Sequence, residues 1–81
     1  MISKEALTQY IKQGIPDAEV TLDDKTGTMD HYRLLIVSQV FHGMGLLDRQ
    51  RRVYETLALP MKDGRIHALE IRSKTPEEAV Q

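Results

Sequence analysis

Four apolar residues in unbroken succession, Leu34, Leu35, Ile36 and Val37, limit what this chain can become. Their β-branched content and short length read as a strand, HYRLLIVS, covered more fully than its neighbours and so central in a sheet. Ala18, Val20 and Leu22 alternate with polar residues before it, the period of a half-buried strand. The polar run DDKTGTMD between them reads as a loop, so the two strands should be antiparallel. A third strand, IHALEIRS, follows only after a long helical stretch. A crossover of that kind makes strands two and three parallel.

The helices follow from their boundaries. Ser3 caps a first helix expected over residues 4–13, with Ala6, Leu7, Tyr10 and Ile11 at helical spacing and Gly14 and Pro16 as stops. Gly43 and Gly45 divide QVFHGMGLLDRQRRVYETLA into a short turn and a helix from Leu46 to Ala58. Leu46, Leu47, Gln50, Val53, Tyr54 and Leu57 are expected on its inner face, with Asp48, Arg49, Arg51, Arg52 and Glu55 mostly off it. Pro60 and Gly64 close the helical region, and Thr75-Pro76-Glu77-Glu78 is a capping box opening a short last helix. The order α-β-β-α-α-β-α implies an α+β fold, a three-stranded mixed sheet with helices mainly on one face. With 81 residues it forms a single domain over 1–81.

Composition narrows the chemistry. The absence of cysteine removes disulfides, thiolate nucleophiles and all-cysteine metal sites. A net charge of −1 gives no overall attraction to nucleic acid or anionic membrane, although residues 48–75 carry seven basic against four acidic side chains. No apolar run approaches the length of a membrane span, and the amphipathic SKEALTQYIKQG after Met1 does not resemble a signal peptide. The expectation is a soluble, cytoplasmic protein. There is no Ser-His-Asp set and no phosphate-binding loop, and nothing fixes His67 with Glu70 or Glu78 as an acid–base pair, so an enzyme is not expected.

Two histidines remain, each opening a strand: His31 in DHYRLLIVS and His67 in GRIHALEI. With strands two and three parallel neighbours, both strand starts lie at one end of the sheet and the imidazoles can converge beside the polar loop. Two imidazoles are an incomplete site. Asp24 or Asp30 could add a carboxylate, but no tight histidine spacing supports a closed zinc site. A partner completes such a pair more naturally, and histidine can replace cysteine on one iron of a two-iron cluster. A histidine at a strand start is also often only a hydrogen-bonded surface residue. His42 carries no comparable argument and reads as an exposed bystander.

The set IVSQVFHGMGLLDRQRRVYETL, IHALEI and KTPEEA resembles the BolA-like family over about residues 4–79. The Val37-Ser38 pair, Phe41, Gly43, the arginine-containing VY helix, the IHAL strand and the Thr-Pro-x-Glu end occur in order. The resemblance implies a fold similar to a type II KH domain and pairing with a monothiol glutaredoxin. Together the two would hold a [2Fe–2S] cluster, with a glutaredoxin cysteine and a glutathione thiol on one side; the isolated chain would hold none. On this side the resemblance implies His67 of the IHAL strand and, from the histidine-bearing subgroup, His31 of DHY. Cysteine-bearing members place their ligand slightly earlier, where this chain has Thr28, and His42 stands where relatives commonly carry a charge. Roles in iron–sulfur trafficking, iron-dependent regulation or stress response would follow. The alternative is a KH-like nucleic-acid-binding transcriptional regulator, with weak DNA contacts from Arg49, Arg51, Arg52 and Arg65. Gly43-Met44-Gly45 is one residue too close for the GXXG clamp of that mechanism. Whether the chain forms a homodimer stays open.

Overall fold

The computed structural model describes residues 2–24, 31–66 and 68–80; the side chains of Asp24, His31 and Ala68 lie outside that description. The order is α1 (Lys4–Gly14), β1 (Glu19–Asp24), β2 (His31–Val37), a 3-10 turn (Gln39–Phe41), α2 (Leu46–Thr56), α3 (Ala58–Lys62), β3 (Ala68–Lys74) and α4 (Pro76–Ala79). The sheet order is β1-β2-β3, with β1 antiparallel and β3 parallel to the central β2.

Alternation along β2 sets the core. Tyr32, Leu34 and Ile36 are buried, and they meet Leu7 and Ile11 of α1, Phe41, Val53 of α2, Leu57, Ile66 and Ile71. Burying each such side chain contributes about 1.5–3 kcal/mol. Leu35 and Val37, of the other parity, are only half-buried. The apolar run is therefore central in strand order but covered by helices on one face. The other face carries Thr21, Asp23, Arg33, Leu35, Arg72 and Lys74 around a shallow concavity of about 310 Å³.

Helix ends show where local signals suffice. The Ser3 hydroxyl accepts from the Ala6 amide, and Thr75 with Glu78 forms the full capping box ahead of Pro76. Gly14 has a different role from the expected stop. It stays inside α1, where a Cβ would lie 2.6 Å from the Thr56 methyl, so its missing side chain lets α1 and α2 approach. The expected single helix to Ala58 breaks at Leu57, and a new short helix starts with Pro60 in its first turn, where proline removes no intrahelical bond. Gly43 and Gly64, at φ 76° and 85°, supply the left-handed turns around this unit.

The inner face of α2 is rotated from the expected one. Val53 is buried, but Leu46 and Leu47 are 77% and 63% exposed. Arg49 turns inward instead, its side chain only 11% exposed.

Candidate functional site

Parallel pairing aligns the starts of β2 and β3. Position 31 lies in register with Ala68, and Tyr32 with Leu69. Adjacent strands lie about 4.8 Å apart. The backbone thus brings His31 beside the residue that follows His67 in sequence. His67 itself lies outside the described residues, as do Asp30 and Thr28 and the side chains of His31 and Asp24.

The backbone leading into this end of the sheet is held from several sides. The Tyr32 hydroxyl, on a side chain 1% exposed, donates to the Ile2 carbonyl at 2.9 Å, fixing the start of β2 to the N-terminal segment. On the β3 side, Gly64 turns the chain out of α3, and the Arg65 and Ile66 amides return to the Pro60 carbonyl at 3.0 and 3.2 Å. Arg65 Nε donates to Asp63 at 2.9 Å, and its Nη2 donates to the Tyr10 hydroxyl at 2.9 Å. The Asp63 carboxyl is lowered by that guanidinium, and Arg65 is raised by its bonds to Asp63 and Tyr10. Buried Ile66 completes the approach. On the open face, Asp23, Arg33 and Glu70 form a cross-strand row, with Arg33 Nε 3.4 Å from Glu70 and Nη1 4.0 Å from Asp23.

The arginines expected to form a basic surface are mostly engaged within the fold. Arg49 donates to the Met44 and Ser73 carbonyls and to both carboxylate oxygens of Glu78, the shortest at 2.7 Å. Arg52 donates to the Gly14 carbonyl at 2.9 Å. Arg65 is tied to Asp63 and Tyr10. Of these four arginines only Arg51 is mostly solvent-exposed, 3.9 Å from Asp48.

Three polar links at the opposite end of the sheet escaped the sequence reading, apart from the Thr75–Glu78 box itself. Asp17 accepts from the Ser38 hydroxyl at 2.5 Å and the Gln39 amide at 2.9 Å, and these bonds lower its pKa. His42 Nε2 lies 2.8 Å from the Glu77 carboxylate of α4, with both side chains more than half exposed. Glu78 takes Arg49 and the Thr75 amide together and is held at about 2. Glu78 therefore sits at the far end of β3 from Ala68, away from any role beside position 67. Only the Ser38 and Thr75 capping residues left a local signal.

A family model described as BolA-like protein matches residues 6–78. The chain belongs to the BolA-like family. This BolA-like protein is similar to an Acinetobacter guillouiae protein described as an uncharacterized protein in the rpoN-murA intergenic region, 38% identical over 95% of this chain and 89% of that one. It is also similar to acid stress protein IbaG of Escherichia coli K12, 36% identical over 65% of this chain; it spans 63% of IbaG. Among solved structures, a bolA protein homologue from Coxiella burnetii superposes over the whole of both chains with a TM-score of 0.84 and 27% identity. The α+β fold with its three-stranded mixed sheet is that of these neighbours.

Among the described residues of this BolA-like protein no three His, Cys, Asp or Glu side chains gather as a metal site, and no helix is long and apolar enough to cross a membrane. The register brings position 31 beside Ala68, the residue that follows His67 in sequence.

Proposed function

We propose that this BolA-like protein is a non-enzymatic adaptor that pairs with a monothiol glutaredoxin and shares a [2Fe–2S] cluster with it. His67 and His31 would be the ligands from this chain; a glutaredoxin cysteine and a glutathione thiol would complete the set. The observation that carries the reading is the parallel register placing position 31 against Ala68, next in sequence to His67. The bound cluster would supply iron and sulfide for delivery or for iron-dependent regulation in the cytoplasm. Ligation requires both imidazoles to be neutral, so assembly weakens as pH falls through the histidine range.

The nucleic-acid reading loses ground because Arg49, Arg52 and Arg65 each satisfy acceptors within the fold. The test is to mix the chain with a monothiol glutaredoxin, glutathione, ferrous iron and sulfide without oxygen, and to follow visible absorption and circular dichroism. The expected result is a spectrum distinct from the glutaredoxin homodimer that is lost with His67→Ala and weakened with His31→Ala. A spectrum unchanged by His67→Ala overturns the ligand assignment.

A further inference from the structure

Among the described residues β3 has a strand neighbour on one side only. The Lys74 carbonyl faces inward, accepting from the Ser38 amide, while the Ser73 carbonyl faces outward to Arg49. Alternation along a strand then turns the backbone groups of Leu69 and Ile71 to the open side. An exposed edge of this kind is a template for another strand. Beside it, Leu46 and Gln50 of α2 and Ile71 and Ser73 of β3 line a groove of about 280 Å³. The Ser73 hydroxyl oxygen is buried there without a partner among the described residues. Leu46 and Leu47 are the exposed apolar side chains on the α2 side.

Charge specifies what fits. Arg72 and Lys74 border this groove and also the concavity on the open face. The side chain of neither forms a hydrogen bond or ion pair with a described residue, whereas that of neighbouring Arg33 is engaged by Glu70 and Asp23. A strand added to β3 would alternate its side chains between the two faces. One set would pack over Leu46 and Ile71; the other would meet Arg72 and Lys74.

We propose that the free edge of β3 receives, as a fourth strand, an extended protein segment alternating acidic and apolar residues. Main-chain bonds to β3 supply affinity, and the Leu46 groove with the Arg72–Lys74 pair supplies selectivity. A second copy of β3 fits less well, since it brings two more cations while Glu70 is already held by Arg33. Nucleic acid fits less well because none of the described residues lining the groove is aromatic, and the groove exposes leucine. The groove that supplies selectivity lies toward the C-terminal end of β3, so binding there does not require the shared-cluster reading.

The test uses the intact chain and a labelled seven-residue peptide alternating glutamate and valine, as long as β3. Fluorescence anisotropy and amide NMR shifts are read without glutaredoxin or iron. The expected result is saturable binding that shifts the Leu69, Ile71 and Ser73 amides and is abolished by a central proline in the peptide. Arg72→Glu with Lys74→Glu should weaken binding about tenfold and favour a lysine–valine peptide, and Leu46→Glu should weaken it separately. Both variants change exposed or rim positions, and circular dichroism checks that they fold. Absence of binding, binding indifferent to the charge reversal, or shifts confined elsewhere would overturn the proposal. So would the same β3 amides responding only to duplex DNA, or only to raised protein concentration.

Discussion

The two ends of the sheet are built differently. At the end where β2 and β3 finish, side-chain bonds cross between elements: Asp17 to Ser38 and Gln39, Arg49 to Ser73 and Glu78, and His42 to Glu77. At the end where they begin, the described anchors lie behind the strands, in the Tyr32–Ile2 bond and the Arg65–Asp63–Tyr10 cluster. Cross-linking one end fixes the register of the whole parallel pair, because each residue step in a strand moves every side chain to the other face. The contrast teaches that alignment of the strand starts can be maintained from a distance.

The comparison is broken most strongly at Arg49. Arg49→Ala should cost about 2–3 kcal/mol in chemical denaturation, because it strips charge-assisted bonds from a mostly buried side chain and leaves the Ser73 and Met44 carbonyls short of a donor. If the two ends are coupled through register, the same variant also reduces cluster assembly with glutaredoxin although it touches neither histidine. Tyr32→Phe attacks the other end. It should cost about 1–2 kcal/mol by leaving the buried Ile2 carbonyl unpaired, measured the same way. Ser38→Ala should cost about 1 kcal/mol through loss of the turn cap and the Asp17 bond.

The smallest effect is a slope with pH. Glu78, held at about 2 mainly by Arg49, and Asp17, lowered mainly by Ser38, have folded-state values below their unfolded ones. Their stabilisation is fully present above the ordinary carboxylate range and is lost as pH falls through the folded values. Denaturation midpoints should therefore fall between about pH 5 and pH 2, and the fall should be shallower in Arg49→Ala. Equal slopes in the two proteins would show that the Arg49–Glu78 link does not set the acid response.

Strand alternation, the Ser3 cap, the Thr75 box and the parallel crossover were legible because each rests on a local pattern or on chain connectivity. The phase of α2 was not. Leu46 and Leu47 look like core residues, yet they sit exposed in the first turn of α2, while Arg49 reaches inward to the Met44 and Ser73 carbonyls. Nothing adjacent to Arg49 announces Glu78, which is supplied from α4, and nothing adjacent to Asp17 announces Ser38. Pro60 signals a break, but not that a second helix will begin around it. At the candidate site, sequence marked the histidines and the strand order, while the polar anchors behind the strands came from residues far apart in the chain.

The register of β2 against β3 also orders events in time. The β1–β2 hairpin joins neighbours in the chain and can form early, whereas closing β3 onto β2 must wait for α2 and α3 to bring the chain back. A nascent or partly folded chain therefore holds positions 31 and 68 apart. Their alignment comes into existence only with the last strand, so this end of the sheet is assembled only when folding is complete.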